Sequence, residues 1–422
     1  MLVGFIYNGM NILYIVPYVP NRIRVRPYSL IRALAERGHR IILGTLYTDA
    51  KEYGELEELR PYCAEIYAAP MPTWHSLANA LQALPTGDPL QSVYSWNGKL
   101  ARDLSHRIAS PDGKPPIDIV HVEHLRGARY GVYLSASPDG HGHDSKRRPP
   151  VVWDSVDSIS LLFRQAAARS RRLYSRLISR FELPRTERFE GWLANQFAKV
   201  LVTSSADRAA IFELAHSKDA VPEIAVLPNG VDCDYFAPGL PELRQPSTLV
   251  ISGKMSYHAN VAMCLSFVSE VLPLVQAEMP EVRLLIVGKD PPAEVRALAE
   301  NPAVTVTGTV EDIRPYLQKA TLAVAPLAYG TGIQNKVLEA MACATPVVAS
   351  SQAVAALNVI NGRDVIIADA PHEMAHAMLT LLNNIHRRQA VGMAGRRYVE
   401  ENHRWQNIAA RLEEIYDGII GN

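Results

Sequence analysis

The chain has 422 residues, of which 48% are hydrophobic, and its formal net charge is zero. This length exceeds one ordinary domain and suits two domains with separate cores. A neutral chain gives no electrostatic reason to expect nucleic acid as a main partner. The four cysteines are scattered and form no Cys-x-x-Cys pair, so they indicate neither a zinc site nor a disulfide framework and favour reduced thiols in a cytosol: Cys63, Cys233, Cys264 and Cys343.

The sequence contains no apolar run of about 18 residues, so we expect no transmembrane helix. Residues 1–9 are apolar but too short and uncharged for a secretory signal. They are either an extension from an early start codon or extra length on the first strand. We therefore predict a cytoplasmic protein whose membrane contact, if any, is peripheral and on the inner face.

Short, continuously apolar runs alternate with helical patterns along the whole chain. Such runs are typical of strands buried on both faces, and the intervening helices predict parallel sheets. The predicted strands are 11–17, 40–46, 64–70, 118–123, 150–156, 199–204 and 224–230, then 248–253, 282–288, 304–308, 321–326, 346–350 and 364–369.

This strand series restarts near residue 248, after a proline-rich and polar linker at 237–247. We predict an α/β protein with two Rossmann-like, doubly wound domains, 1–240 and 245–395, that face each other across a cleft. The last segment, 396–422, is predicted to form a helix that packs back on the first domain.

Two segments break the alternation of strands and helices. Residues 135–150 form a polar, glycine- and proline-rich stretch typical of a surface loop. The stretch from Arg164 to Arg188 carries eight arginines among apolar residues. It is either a solvated helix with an apolar inner face or an interfacial helix that faces anionic lipid or an anionic acceptor.

The segment 326–350, PLAYGTGIQNKVLEAMACATPVVAS, carries the most specific chemistry. A strand leads into a loop with Gly330 and Gly332, and a helix is predicted to start near Ile333 and to end before Pro346. The free N–H groups and the dipole at such a helix start make an anion site.

Two charged residues follow this predicted helix start. Lys336 lies in the first turn, where its side chain leans toward the N-terminus and can reach the same anion. Glu339 lies on the same face, roughly 10 Å along the axis from Gly332, which is the length scale of a nucleoside diphosphate. The alternative is a glycine-capped helix with an ordinary Lys–Glu surface pair.

The segment resembles the donor-site signature of retaining GT-B glycosyltransferases, described as group 1 or family 4-like. That superfamily includes sucrose synthase and bacterial phosphatidylinositol mannosyltransferases. The resemblance implies that Glu339 binds the donor ribose. The glutamate that usually contacts the donor sugar falls on Thr331, as in a branch of sugar transferases associated with exopolysaccharide synthesis, so the sugar is not specified.

The resemblance also implies further donor-binding positions in the second domain. Gly253 and Lys254 stand where the family has Gly-Arg, and Asn260 stands where it has a phosphate-binding lysine. Lys254 is alternatively an exposed lysine at a strand end. The remaining positions implied around the diphosphate and the base are Val310, Gly332, Ile333 and Gln334. Asp312 either lines the base pocket or caps a helix.

In the first domain, the family's Gly-Gly loop is replaced by an arginine-rich loop, in which Arg24 suits an anionic acceptor. The resemblance implies that His124, at the end of a strand, touches the donor sugar, while His121 is interpreted as a core histidine. Asp154 and Asp157 follow the next strand. They either lie near the acceptor or cap the helix that begins near Ser158.

The sequence therefore predicts a glycosyltransferase that uses a nucleoside-diphosphate sugar and a glycan, lipid-linked or small-molecule acceptor, with retention and without a metal or other cofactor. The predicted catalytic residues are His124, Lys336 and Lys254. Alternatives are a nucleotide-sugar epimerase of the same fold and a catalytically silent nucleotide-binding or assembly protein. A dinucleotide-dependent oxidoreductase is disfavoured, because no strand is followed by Gly-x-Gly-x-x-Gly.

Overall fold

A computed structural model describes residues 9–109, 113–136, 148–169, 173–215, 223–330 and 332–421. The chain forms two compact units. The first unit holds the chain up to Pro228 together with the segment from Ile408 onward, and the second unit is Asn229–Asn407. Predictions for residues 1–8, for most of the 135–150 loop and for Thr331 lie outside the described residues.

The first unit is built on a seven-stranded parallel sheet with the order β3-β2-β1-β4-β5-β6-β7. Its strands are β1 Asn11–Val16, β2 Arg40–Tyr47, β3 Cys63–Pro70, β4 Ile119–Glu123, β5 Val151–Val156, β6 Lys199–Val202 and β7 Ile224–Val226. Its helices are α1 Val25–Glu36, α2 Ala50–Gly54, α3 Thr73–Ala83, α4 Leu90–Tyr94, α5 Gly98–Ala109, α6 His124–Ser135, α7 Ile159–Arg169, α8 Leu173–Leu193 and α9 Ser205–Leu214.

The second unit is built on a six-stranded parallel sheet with the order β10-β9-β8-β11-β12-β13. Its strands are β8 Thr248–Ser252, β9 Arg283–Val287, β10 Val304–Gly308, β11 Leu322–Ala325, β12 Val347–Ala349 and β13 Ile366–Ile367. Its helices are α10 His258–Ser266, α11 Leu272–Glu278, α12 Ala293–Arg296, α13 Arg314–Lys319, α14 Asn335–Ala342, α15 Ser351–Val354, α16 Pro371–Asn383 and α17 Ile385–Asn402.

The central strands are buried throughout, as their continuous apolar sequences predicted. Every residue of β4, β8 and β11 is buried, and five of the six residues of β1 are buried. Helices cover both faces of a sheet whose strands alternate with helices in this way, which removes the need for polar positions along the strand. The predicted α/β class is confirmed, with two parallel sheets.

The last helix, α18 Trp405–Ile420, joins the first unit. Tyr416 Oη lies 2.7 Å from Nδ1 of His121 in β4, and the Arg37 guanidinium donates to Glu413. The return to the first unit falls at residue 408, later than the predicted 396. Arg396 stays in the second unit, where its guanidinium donates to the Cys233 carbonyl at 2.9 Å.

The arginine-rich stretch forms two helices, α7 and α8, instead of the single helix predicted. Elsewhere in the described part of the chain, one continuous helical stretch, His258–Glu278, is long and apolar enough by composition to cross a bilayer. Half of its most apolar window is buried inside the structure. This burial is expected of a helix that packs against a sheet in a core.

Candidate functional site

Two glycines form a bare backbone surface at the ends of neighbouring strands in the second unit. Gly253 follows β8 with a φ of 144°, and Gly288 follows β9 with a φ of 153°. A Cβ on Gly288 would lie 1.7 Å from the Gly253 carbonyl oxygen, and one on Gly253 would lie 3.0 Å from Nδ2 of Asn260. Neither position can carry a side chain without displacing its neighbours. The sequence analysis missed Gly288, although its apolar run also ends in glycine.

Replacing Gly288 by alanine is expected to destabilise the second unit by at least about 3 kcal/mol, because the new Cβ overlaps backbone and the φ is strained. The matched control is Gly362→Ala, where φ is also positive at 82° but the added Cβ meets open space. Strain alone should cost about 1–2 kcal/mol there. Urea unfolding followed by circular dichroism measures both, and equal losses would contradict the proposed backbone clash.

The glycine-rich loop leads into α14 as predicted, but the helix begins at Asn335 and not near Ile333. Gln334 is the N-cap residue with an extended backbone (ψ 94°), while Ile333 is buried against the core. Gly332 has a φ of 66°. The loop is anchored by the Gln352 side-chain amide, which donates to the Gly330 carbonyl at 2.9 Å.

Lys336 lies in the first turn of α14 and is held by Asn260. Its ammonium donates to Oδ1 of Asn260, and Nδ2 of Asn260 donates to the Lys254 carbonyl at 2.9 Å. Burial lowers the pKa of Lys336 to about 8. Asn260 therefore orients the ammonium instead of adding a second charge. The direct contact of Asn260 with the donor stays a prediction.

Glu339 lies one turn further along α14. Burial raises the pKa of its carboxyl group to about 7, against the opposing influence of the Lys336 charge. Within the described residues its carboxylate accepts no hydrogen bond, and Lys336 bonds to Asn260 instead of to Glu339. The alternative of an ordinary Lys–Glu surface pair is therefore wrong. A partly buried carboxylate without a protein donor is suited to accept hydroxyl groups from a ligand.

The other predicted donor positions lie around this centre with different exposure. Lys254 is exposed shortly after the end of β8. This position fits both predicted roles, a lysine at a strand end and a contact to phosphate. Val310 is partly buried against the core. A cavity of about 380 Å³ opens between Asp290 and the β10 end at Gly308. Asp312 does not line it: its Oδ1 accepts the Arg314 N–H at 2.9 Å, at the start of α13.

In the first unit, a buried ion pair links α1 to the end of β5. The Arg26 guanidinium donates to Oδ2 of Asp154 at 2.7 and 3.0 Å, and both side chains are buried. Burial opposes the charged carboxylate, but Arg26 and His121 hold the pKa of Asp154 below its usual value. The Asp154 side chain is fully buried, and its contact with the acceptor stays a prediction.

A second carboxyl group lies beside this pair. Glu123, at the end of β4, accepts hydrogen bonds from the Tyr14 and Tyr18 hydroxyls, each at 3.1 Å. Burial, reinforced by the charge of Asp154, raises the pKa of Glu123 to about 8. His121 is fully buried, with Nε2 3.6 Å from Oδ2 of Asp154, as expected of a core histidine.

His124 is the first residue of α6 and has a φ of 66°, which is unusual for a residue with a side chain. Its Nδ1 accepts the Arg126 N–H at 3.3 Å. Burial and, to a smaller extent, Arg126 lower the pKa of His124 to about 4. The ring is therefore neutral at pH 7, and an Nδ1 that accepts leaves Nε2–H as a hydrogen-bond donor.

The remaining acceptor-side predictions have different surroundings. The Arg24 guanidinium lies 4.7 Å from the centre of the Tyr18 ring and pairs with Glu52. Asp157 accepts the Thr203 hydroxyl at 3.0 Å, and burial raises its pKa to about 6. At the start of α7, Glu190 accepts the Ile159 N–H at 2.7 Å.

Sequence reasoning also missed Glu190 and Arg126. Glu190 lies 31 residues beyond the helix start that it caps, so no local pattern marks it. Arg126 lies over the Tyr94 ring at 5.1 Å, and its Nε is buried without a hydrogen bond to any described residue. Within the described ranges no group of three or more His, Cys, Asp or Glu side chains could hold a metal ion.

Two parallel-sheet α/β units, the second with a glycine-rich helix start beside a lysine and a glutamate, define the GT-B class of fold. Residues 23–230 match the family described as glycosyl transferase 4-like domain, and residues 246–384 match glycosyl transferases group 1. The chain therefore belongs to the group 1 glycosyltransferases with a 4-like first domain.

Among characterised proteins, the chain is similar to a GDP-mannose-dependent alpha-(1-6)-phosphatidylinositol monomannoside mannosyltransferase of Mycolicibacterium smegmatis. The two are 28% identical over 219 residues, which cover 46% of this chain and 56% of the relative. The match thus spans little more than half of that relative's length.

Two solved structures show the same fold over nearly the whole chain. Sucrose-phosphate synthase from Thermosynechococcus elongatus has a TM-score of 0.66 at 19% identity, covering 98% of this chain and 99% of that one. Anabaena HepE in complex with UDP-glucose has a TM-score of 0.66 at 14% identity, covering 97% and 100%. At these identities the likeness concerns the fold alone.

Proposed function

We propose that this protein transfers a sugar from a nucleoside-diphosphate sugar to an acceptor, with retention at the anomeric carbon and without a metal ion. The observation that carries the proposal is the start of α14, where Lys336 is oriented by Asn260 and no residue that the structure describes donates a hydrogen bond to the Glu339 carboxylate. The donor diphosphate would lie against the Gly253 and Gly288 backbone and the helix start, and the ribose hydroxyls would reach Glu339.

In this proposal the Lys336 ammonium stabilises charge on the leaving diphosphate. A bound dianion stabilises the protonated form of a buried lysine. The pKa of Lys336, which burial lowers in the free protein, therefore rises when the ligand binds. A charge fixed before reaction stabilises the developing negative charge without reorganisation. Lys254 adds a more exposed charge after β8, and together these groups take the place of a metal ion.

The proposed role of His124 is to donate Nε2–H to a hydroxyl of the donor sugar. The ring is neutral, so it orients the sugar without competing with Lys336 for the phosphate charge. Retention follows if the leaving phosphate oxygen accepts the acceptor's proton on the face from which it departs. We further propose that the protein acts in the cytoplasm, where nucleotide-sugar donors are present, and that its contact with the membrane is peripheral.

The affinity for a nucleoside diphosphate is expected to be highest between about pH 7 and 8. Above pH 8 the free protein loses the Lys336 proton, and below pH 7 it gains a proton on Glu339, so binding weakens on both sides. Each limb approaches a tenfold change per pH unit. Isothermal titration from pH 5.5 to 9.5 measures the curve.

Conservative variants separate the two limbs of this pH profile. Lys336→Arg should flatten the alkaline limb, because a guanidinium keeps its proton. Glu339→Gln should flatten the acid limb, because an amide does not titrate. An affinity that is independent of pH in the unaltered protein would show that these groups do not contact the ligand.

Product analysis tests the proposed reaction directly. The protein is incubated with UDP-glucose or GDP-mannose, with EDTA present, with and without a panel of sugar, glycolipid and polyprenyl-phosphate acceptors. We expect the nucleoside diphosphate to be released. We also expect the transferred sugar in the product to keep the anomeric configuration that it has in the donor, as measured by NMR. An epimerised sugar nucleotide formed without acceptor would instead establish the epimerase alternative, and dependence on a divalent metal would refute metal independence.

A further inference from the structure

A cavity of about 640 Å³ lies in the first unit, apart from the Arg26–Asp154 pair. Four aromatic side chains line it: Trp96, Tyr133, Phe189 and Trp192. Phe189 is buried, whereas Trp192 is 45% exposed at the rim. An apolar cavity of this size, open at one side, is suited to an apolar chain or ring.

Three arginines also line this cavity, and they differ in whether a carboxylate neutralises their charge. Arg129 pairs with Asp88 at 2.6 Å. Arg185 donates to the backbone carbonyls of Leu84 at 3.0 Å and Asp88 at 3.4 Å, and Arg188 is exposed. Neither Arg185 nor Arg188 forms an ion pair with a carboxylate of the described residues. Their charges are therefore available to an anionic ligand at the cavity mouth.

An exposed apolar surface continues from this mouth. Helix α3 presents Trp74, Leu77 and Leu81 on one face, with exposures of 70%, 54% and 66%. Leu84 follows at the end of the helix, where its carbonyl accepts the Arg185 hydrogen bond. The Arg185 guanidinium also lies 4.2 Å from the centre of the exposed Phe181 ring. Apolar and cationic groups thus alternate at the entrance, as they do where proteins meet lipids.

The cavity extends along helix α6 toward the helix start at His124. Arg129, Val132 and Tyr133 of α6 line the cavity, and Arg126 lies one turn earlier, about 4.5 Å along the axis. In helix α4, which packs beside α6, Val93 lines the cavity while the Tyr94 ring lies under the Arg126 guanidinium. A ligand with its chain in the cavity could therefore extend its polar end toward the start of α6.

We propose that this cavity binds the apolar chain of an anionic amphiphile, whose phosphate or similar headgroup pairs with Arg185 and Arg188, and that this ligand is the lipid portion of the acceptor. The assignment to an acceptor rests on the sugar transfer proposed above. Binding of the amphiphile to the cavity does not, and it can be measured in the absence of any donor.

The direct test compares three probes on the full chain: dodecyl phosphate, dodecanol and inorganic phosphate. Binding is followed by tryptophan fluorescence, since Trp96 and Trp192 line the cavity, and by titration calorimetry below the critical micelle concentration. Dodecyl phosphate should bind most tightly. In a series of alkyl phosphates, affinity should rise roughly fourfold per methylene and then level off when the cavity is full. Inorganic phosphate that binds as tightly as dodecyl phosphate would overturn the proposal.

Variants locate the two parts of the ligand. Arg188→Gln should weaken dodecyl phosphate about tenfold and leave dodecanol unchanged, because it removes one charged hydrogen-bond donor. The matched control is Arg180→Gln, an exposed arginine of α8 that does not line the cavity, which should change neither. Val132→Trp should fill the cavity and weaken both chain-bearing probes. Equal effects of Arg188→Gln and Arg180→Gln would overturn the headgroup assignment. This comparison does not depend on Val132→Trp, so it holds even if that variant does not fold.

Two further measurements identify the source of the amphiphile and separate this inference from the proposed donor site. Competition by phosphatidylglycerol vesicles identifies bulk membrane lipid as a source, whereas competition by monomeric polyprenyl phosphate identifies a lipid-linked acceptor. Nucleoside-diphosphate binding is measured on the same samples. Nucleotide binding without amphiphile binding refutes this inference alone, and amphiphile binding without nucleotide binding refutes the donor site alone.

Discussion

Replacing Lys336 by alanine is expected to lower kcat/KM for sugar transfer by about 10²- to 10³-fold, because the charge that opposes the developing diphosphate is lost. Affinity for the free nucleoside diphosphate should fall by roughly 10- to 100-fold, the value of a charged hydrogen bond. The loss in rate exceeds the loss in affinity because the leaving group is more negative in the transition state than in the donor. Coupled release of nucleoside diphosphate measures the first quantity, and calorimetry the second.

The matched control for this variant is Lys319→Ala, at the exposed end of α13 in the same unit. It removes the same charge from the protein without touching the start of α14, so both measurements should stay unchanged. Equal losses in the two variants would show that net charge, and not the position of Lys336, determines binding. An active Lys336→Ala variant would remove the main support for the donor site.

Replacing Asp154 by alanine is expected to destabilise the first unit by about 3–5 kcal/mol, because it leaves the buried Arg26 guanidinium without its carboxylate. Both side chains are at most 5% exposed, and the pair joins α1 to the end of β5. Arg26 also donates to the carbonyls of Leu227 at 3.2 Å and Pro228 at 3.3 Å, and neither carbonyl carries a charge that could replace the carboxylate. Urea unfolding of the first unit measures the loss.

A double variant distinguishes charge burial from a general loss of packing at this position. Arg26→Met combined with Asp154→Leu removes both charges, and it should recover much of the stability lost in Asp154→Ala. Glu57→Ala, which breaks the exposed pair with Arg60, should leave the unfolding midpoint unchanged. A midpoint for Asp154→Ala that matches the Glu57→Ala control would contradict the importance of the buried pair.

The sequence predicted the parts of the molecule that depend on local pattern. Buried strands such as β4 and β8 are continuous apolar runs, and the start of α14 is marked by glycines followed by Lys336 and Glu339. These features need only a few neighbouring residues to be recognised. Prediction of these strands and of the helix start at α14 therefore needed no tertiary information.

Contacts between distant residues explain what the sequence could not predict. The close approach of Gly288 to Gly253 depends on the register of β8 against β9. Asp154 lies near the carboxyl end of β5, where ligand-binding residues are common, but Arg26, 128 residues earlier in the chain, forms a buried ion pair with it. The sequence places Asn260 where the family has a phosphate-binding lysine, and only the folded structure shows that Asn260 links Lys336 to the Lys254 carbonyl.

Thermal stability in the presence of nucleotides tests the donor site most directly. UDP, GDP and ADP are added with EDTA to the unaltered protein and to Glu339→Ala. At a ligand concentration of 100 times Kd, the bound nucleotide should stabilise the unaltered protein by about 2.7 kcal/mol. We predict that UDP or GDP gives this stabilisation and that Glu339→Ala loses most of it. If no nucleotide shifts the melting temperature of the unaltered protein, the second unit does not hold a nucleotide-sugar donor as proposed.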